Sequence, residues 1–330
     1  MIAFLNDFHG RIYLEQFITK KCNWACRHCM YNCSQESSGN FIDEDQLSKL
    51  KTQADFLKSI GFKVIINLLG GEPTLYFNKL QYVLDVISSW GVTITMPTNG
   101  WWLENEKSQN KFFDTFKNYV APNGSGVESN NGNGLFVQIS DDQYHREWKS
   151  EYNNESNFQQ IFENNTDKIP SPHSQYPWIR WKHLLDNYYV NPQGRGKNVS
   201  NAEFYIDKLG KSGSLCYAEY NKNLYSEYSA HYELDGKISS SCPFGNKRNN
   251  FGSIEDNVIF IMLIEKSFRD FRKNQVYNCL NCNDLFDNWY KKYYNDVYEY
   301  YEKLNTLDVY EFINNYEKIN EFNYNYELVE

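Results

Sequence analysis

The sequence predicts an α/β fold on a parallel sheet, open or rolled into a barrel, followed by a smaller module. Three observations predict it. The first two thirds of the chain alternate strand-like and helix-like segments, the pattern of repeated βα units. Every glycine-rich or polar cluster in that region falls where a strand should end, and α/β folds keep their chemistry at those ends. The 330 residues, 41% hydrophobic and 17% aromatic, supply ample material for a large core.

Residues 13–19 read as a buried strand, followed directly by Cys22-Asn-Trp-Ala-Cys26-Arg-His-Cys29. Asp43 stands where it can cap an amphipathic helix reaching about Ile60, with Leu47, Leu50, Ala54 and Leu57 on one face and Gly61 at the stop. Residues 63–69 form a second strand ending in Gly70-Gly71-Glu72-Pro73. A helix over 78–90 stops at Gly91, and a third strand over 92–96 runs into Pro97-Thr98-Asn99-Gly100. A helix over 106–120 follows, then a surface loop over 123–134 rich in Gly, Asn and Ser. The fourth strand, 135–139, leads into Ser140-Asp-Asp-Gln-Tyr-His145. Beyond a helix near 155–162, residues 178–183 are the candidate for a fifth strand. Residues 188–191 start or end a sixth, before Gly194-Arg195-Gly196.

From about Gly213 the character changes. Residues 215–220, 229–234 and 237–240 read as short strands, the last two joined by an Asp235-Gly236 hairpin turn. Residues 260–272 read as helical. Leu285, Trp289, Tyr293, Val297, Tyr300 and Leu304 then recur at helical spacing, an aromatic stripe that reads as core packing. The expected organisation is a core domain over 1–210 and a module with C-terminal helices over 211–330.

A net charge of -9 without a dense Lys/Arg tract argues against unspecific binding to nucleic acid or acidic membranes. The N-terminus carries no secretory pattern, and the longest apolar runs, near 64–69 and 258–264, are too short to span a bilayer. A cytosolic chain is expected, in which eight cysteines serve as metal ligands or reactive thiols rather than as disulfides.

Cys22, Cys26 and Cys29 are spaced C-x3-C-x2-C, which suits either zinc or an iron–sulfur cluster. Structural zinc wants four ligands, with Cys33 as the available fourth. Three thiolates on one loop suit three corners of a cubane, leaving the fourth iron open. With histidine 28 in its aromatic slot, the loop resembles the signature of the radical S-adenosylmethionine (SAM) enzymes, C-x3-C-x-aromatic-C. Gly70-Gly71-Glu72-Pro73 is similar to that family's glycine-rich turn after strand two. The resemblance covers roughly residues 10–200 and implies a partial (βα)6 TIM-like barrel.

It implies further that a 4Fe-4S cluster with one open iron binds SAM, and that an electron from the cluster releases a 5′-deoxyadenosyl radical that takes a hydrogen atom from a substrate. A one-electron reductant such as flavodoxin or ferredoxin is the implied partner. By the same resemblance His28, Gly70, Gly71, Glu72, Thr98, Asn99 and Ser140 attend SAM, the two glycines letting the backbone approach its methionine part. Arg195 pairs with the SAM carboxylate or is a surface residue. Trp24, Tyr31, Trp101 and Trp102 shield the radical or simply pack.

Of the five remaining cysteines, Cys216, Cys242, Cys279 and Cys282 make a complete tetrahedral set, for which zinc is one reading. With Asp235-Gly236-Lys237 and Gly252-Ser-Ile254, they resemble the twitch module, a shortened SPASM module, whose cysteines hold an auxiliary 4Fe-4S cluster. This chain has five residues between Gly236 and Cys242, where four are usual. Cys33 is left over, either an idle buried thiol or a hydrogen donor to a substrate radical. Asp142-x-Tyr144-His145 and Thr98-Asn99-Gly100-Trp101 resemble radical SAM enzymes that modify ribosomal peptides, including epimerases. The expectation is a peptide-modifying enzyme, with oxidation of a small alcohol or sugar as the enzymatic alternative and a non-redox zinc-binding platform as the other. No peptide-binding domain precedes the barrel in the sequence, so leader recognition is expected to need another protein or the C-terminal region.

Overall fold

The computed structural model describes residues 11–29, 31–59, 61–120, 134–148, 179–183, 195, 227–240, 250–253 and 282–305, with 260, 264, 267, 268 and 271. Its centre is one sheet with strands β1 (Arg11–Thr19), β2 (Lys63–Gly70), β3 (Thr93–Thr98), β4 (Gly134–Asp141), β5 (Ile179–His183), β6 (Glu227–Tyr232), β7 (Lys237–Ser240) and β8 (Asn250–Ser253). The spatial order is β5-β4-β3-β2-β1-β6-β7-β8. Every pair from β5 to β6 is parallel, and β7 and β8 add antiparallel strands. Among the described residues β5 and β8 are the two edges, so the strand order is that of an open sheet. The α/β class is therefore as expected, and a partial barrel is an open sheet of this kind that curls.

The helices form as their sequences direct. In α1 (Glu44–Ser59), Asp43 Oδ1 accepts the Gln46 amide at 2.9 Å, and Gly61 ends the helix at a φ of 95°. Leu47, Leu50, Ala54 and Leu57 form its buried face. The faces of α2 (Phe77–Ser88) and α3 (Glu106–Phe116) bury Leu80, Val83, Leu84 and Ile87, and Phe112, Phe113 and Phe116. These side chains meet alternate residues of the strands, Ile12 and Leu14, Val64, Ile66 and Leu68, Ile94 and Met96, and Leu135, Val137 and Ile139, in one core. On α5 (Cys282–Asn305), Leu285, Trp289, Tyr293 and Val297 are buried against Phe260, Ile264, Phe268 and Phe271, so these four residues of the stripe are packing; the side chains of Tyr300 and Leu304 lie outside the described ones.

The main departure is β6. The sequence reading places 229–234 in the C-terminal module, whereas Glu227–Tyr232 lies parallel to β1, with Tyr13 opposite Ser229 and Gln16 opposite Tyr232. The Asp235-Gly236 hairpin forms as expected, Gly236 adopting a φ of 77°. Alternation and turn chemistry mark a hairpin but do not say which strand lies beside its outer edge. The expected strands over 188–191 and 215–220, the helix near 155–162 and nearly all of the 123–134 loop lie outside the described residues.

No helix among the described residues is long and apolar enough to cross a membrane.

Candidate metal centre at the strand ends

The chain leaves β1 at Thr19 and turns across the C-terminal ends of β1, β2 and β3. The crossing is steric. Gly71 N donates to Thr19 O and Glu72 N to Lys21 O, both at 2.9 Å. A Cβ on Gly71 would lie 2.3 Å from Lys21 O and 2.9 Å from Cys22 Cβ; one on Gly70 would lie 2.9 Å from Thr19 O. The space kept free by the missing Cβ atoms is thus taken by this chain's own backbone on its way to Cys22. The loop closes where Cys22 N donates to Ser34 O at 3.0 Å, with Asn32 in the left-handed region at a φ of 58°.

Inside it lies a pocket separate from the main core, built from Cys22, Trp24, Cys26 and Cys33 with Cys29, Tyr31 and Trp101 at its margin. Trp102, expected beside these aromatics, sits instead in the helix-side core, stacked on Phe112 at 3.6 Å. Its neighbour Trp101 lies at the pocket because a 3-10 turn over Trp101–Glu104 separates the two directions.

The carboxylate of Glu72 is fully buried between the turn and the end of β3. Thr74 N at 3.1 Å, the Thr74 hydroxyl and the Thr98 hydroxyl at 2.8 Å donate to one oxygen, and Asn99 N donates to the other at 2.6 Å. Burial raises its pKa above the ordinary carboxylate value despite these donors. Asn99 Nδ2 reaches Asn23 Oδ1 at 2.9 Å and Cys22 Sγ at 3.8 Å, while its Oδ1 accepts from Trp101 N. The polar residues after β2 and β3 therefore hold the cysteine loop in place.

A second tether runs from β4. Asp142 caps α4 (Gln143–Arg146), its Oδ1 accepting Tyr144 N and His145 N at 2.9 Å each. Its Oδ2 meets His145 Nδ1 at 2.6 Å and His28 Nε2 at 3.3 Å. Burial works against the Asp142 carboxylate, but His145 and then His28 outweigh it and hold its pKa far below the usual range. His28 stacks on Tyr144 with ring centroids 4.7 Å apart, and the exposed Arg27 pairs with Glu147. Ser140 lies half-buried on β4, two residues before this cap. Sequence reading noted Asp142 and His145 without their partnership; an Asp directly after a strand and before a short polar helix is the N-cap signal for it.

The four thiols differ. Burial, with the nearby Glu72 charge, pushes the Cys22 pKa up to about 12, and burial and the neighbouring thiols raise Cys26 further. A hydrogen bond from the Cys33 thiol lowers the Cys29 pKa, and the same bond, with burial, raises that of Cys33. Cys33 is 2% exposed and directed at a candidate ligand, neither far from the pocket nor open to solvent. Among the described residues only His28, Asp142 and His145 bring three ligand atoms within 4.8 Å of one another. No three of the four thiols bring their sulfurs within 4.8 Å of one another, whereas the sulfurs of tetrahedral zinc, at a Zn–S bond near 2.3 Å, stand about 3.8 Å apart. Cys22 and Cys26, both buried, with the half-buried Cys29 beside them on one loop and no three sulfurs within 4.8 Å of one another, fit a multi-iron centre whose positive charge favours the thiolates.

Arg195 arrives from beyond β5. Its backbone N donates to Cys29 O at 3.0 Å, Nε to Cys26 O at 3.0 Å and Nη2 to Cys33 O at 2.6 Å. Of the second cysteine set, Cys216, Cys242 and Cys279 lie outside the described residues, and Cys282 is the first residue of α5.

Residues 17–156 match the profile of the radical SAM superfamily. The Bacillus subtilis (strain 168) protein YydG, named for peptide biosynthesis, is 27% identical over 129 residues, 39% of this chain and 35% of its own length. A Psychrobacter lutiphocae protein named S-adenosylmethionine-dependent nucleotide dehydratase is 26% identical over 121 residues, 34% of this chain and 39% of its own. The matches thus span well under half the length of these curated relatives. The crystal structure of BtrN with AdoMet and 2-DOIA is 16% identical, with a TM-score of 0.45 over 80% of this chain and 85% of that one.

Two outcomes follow. Gly71→Ala should cost about 1–3 kcal/mol in denaturant unfolding, by overpacking, and should also reduce iron uptake. Gly61→Ala is strained by its φ of 95° but meets nothing within 4 Å, so it should cost stability alone. Equal iron loading by all three proteins would refute the steric role of Gly71. Asp142→Asn keeps the cap and removes the charge, so it should destabilise by about 1.5–3 kcal/mol at pH 7. Because the folded pKa is depressed, the native advantage is present above about pH 4 and shrinks as pH falls below it. A gap that widens on acidification would contradict this pairing.

Proposed function

We propose that this chain, whose residues 17–156 match the radical SAM superfamily, is an enzyme that cleaves SAM reductively and takes a hydrogen atom from a ribosomally made peptide, with epimerisation, oxidation or cross-linking as the outcome. The observation that carries the radical SAM reading is the loop itself: the buried thiols of Cys22 and Cys26 with the half-buried Cys29 on one turn, seated on a glycine turn that admits no side chain. Cys22, Cys26 and Cys29 would hold a 4Fe-4S cluster and leave one iron for SAM. When bound, that pair supplies a one-electron route to a carbon radical.

The chain's own residues bind, orient and exclude water. The Gly70–Gly71 turn offers main-chain groups at the loop, and His28, Ser140, Thr98 and Asn99 line the approach from β3 and β4. Trp24 and Trp101 keep water from the thiols. Glu72 supports the site through Thr98 and Asn99, because four protein donors already engage its oxygens. A second cluster on Cys216, Cys242, Cys279 and Cys282 belongs to the same proposal and rests on their spacing. Cys33 is the hydrogen donor that an epimerase would need, or else a thiol that serves Cys29.

The peptide substrate is favoured by the name of the Bacillus relative. The alternative of a small hydroxylated substrate is kept, since the other relative is named for a nucleotide. A flavodoxin or ferredoxin would deliver the electron, and no nucleic-acid or membrane partner is part of the reading.

Anaerobically reconstituted protein should be brown, bind iron rather than zinc, and release 5′-deoxyadenosine from SAM with dithionite. Cys26→Ala should lose this by at least about 100-fold. A colourless zinc protein would end the enzyme reading. With a candidate peptide in D2O, deuterium in the product supports epimerisation, and a two-electron oxidised product without deuterium replaces it.

A further inference from the structure

Arg195 comes to the cysteine loop from a distant part of the sequence and places two side-chain donors and its amide on main-chain carbonyls. Nε and Nη2 reach the carbonyls of Cys26 and Cys33, and its own amide reaches that of Cys29. These three carbonyls belong to an irregular turn that no strand or helix stabilises. They also bracket the pocket, one at the middle thiol, one at the third and one at the spare cysteine. The planar guanidinium is what makes the double contact: two N–H groups in a fixed fork bridge two carbonyls, where an ammonium offers a point charge on a flexible stem. The group is half-buried, so its charge is screened less than a surface arginine's.

We propose that Arg195 is a positioning residue that clasps the cluster loop, fixing the main chain of Cys26, Cys29 and Cys33 and keeping a positive charge beside that loop. The alternative expected from sequence was a partner for the SAM carboxylate. The proposal rests on the radical SAM reading of the pocket and reassigns one residue within it. The two parts of the role are separable by chemistry. The fork holds the loop's shape, and the charge sets how easily the centre accepts an electron.

The test compares the full-length chain, reconstituted anaerobically, with Arg195→Lys and Arg195→Gln. Three quantities are read: the rate of iron loss to a chelator, the cluster midpoint potential by spectroscopic titration, and SAM affinity by equilibrium dialysis. Both variants should lose iron roughly 10-fold faster than native, the scale typical of residues that orient metal ligands. Arg195→Gln should also shift the potential to more negative values, whereas Arg195→Lys, which keeps the charge, should stay close to native. SAM affinity of the loaded variants should change less than about 3-fold. Native iron retention in both variants, with SAM affinity reduced 10-fold or more, would overturn the clasp and return Arg195 to the SAM carboxylate. If the native protein itself holds no iron, the failure lies with the radical SAM reading and not with the clasp.

Discussion

The passage of Lys21 across Gly71 is the contact on which the rest of this structure depends. A Cβ would need to occupy a point 2.3 Å from the Lys21 carbonyl oxygen, far inside van der Waals contact. Only glycine lets the chain leaving β1 lie on the turn that ends β2, and only that seating brings Cys22 within reach of Asn99 after β3 and His28 within reach of Asp142 after β4. The parallel sheet supplies three strand ends at adjacent positions, and the glycine turn lets one loop cross them. Residues that sequence reasoning assigned to a cofactor, Gly71, Glu72, Asn99 and Arg195, are engaged first in holding the protein segment that would bind it.

Electrostatics gives this pocket a preference. It buries Cys22, Cys26 and Cys33 beside a fully buried Glu72 and near the charge of Asp142, and both carboxylates make thiolate formation harder. The guanidinium of Arg195 answers them, and the imidazoles of His28 and His145 engage Asp142. An environment in which buried thiols hold their protons, yet stand ready on one loop, favours a centre that brings several positive charges of its own. Cys29 departs from its neighbours because Cys33 donates to it, so the cysteine without an assigned ligand role acts on one that has such a role.

The fold was legible where local rules decide it. The α1 cap at Asp43, its stop at Gly61, the strands ending in Gly-Gly-Glu-Pro and Pro-Thr-Asn-Gly, and the Asp235-Gly236 hairpin all follow from periodicity and turn chemistry acting over a few residues. The place of the cysteine loop, directly after β1, was legible too. What sequence did not reveal depends on contacts far apart in the chain. That β6 joins the parallel sheet beside β1 is a question of pairing partner, which alternation does not encode. That Trp101 faces the cysteines while Trp102 enters the core depends on a four-residue 3-10 turn, too short to leave a period. The roles of Glu72 and Arg195 depend on which donors and acceptors arrive from elsewhere, 26 residues away for Thr98 and 169 for the Arg195–Cys26 bond.

The central claim is that the Cys22–Cys26–Cys29 loop holds a cluster with one iron left open for SAM. Electron paramagnetic resonance of the anaerobically reduced protein, before and after SAM is added, tests it most directly. The account predicts a cluster signal that SAM perturbs, and loss of that perturbation in Cys26→Ala. A reduced-cluster spectrum unchanged by SAM that is nevertheless shown to be bound would contradict it.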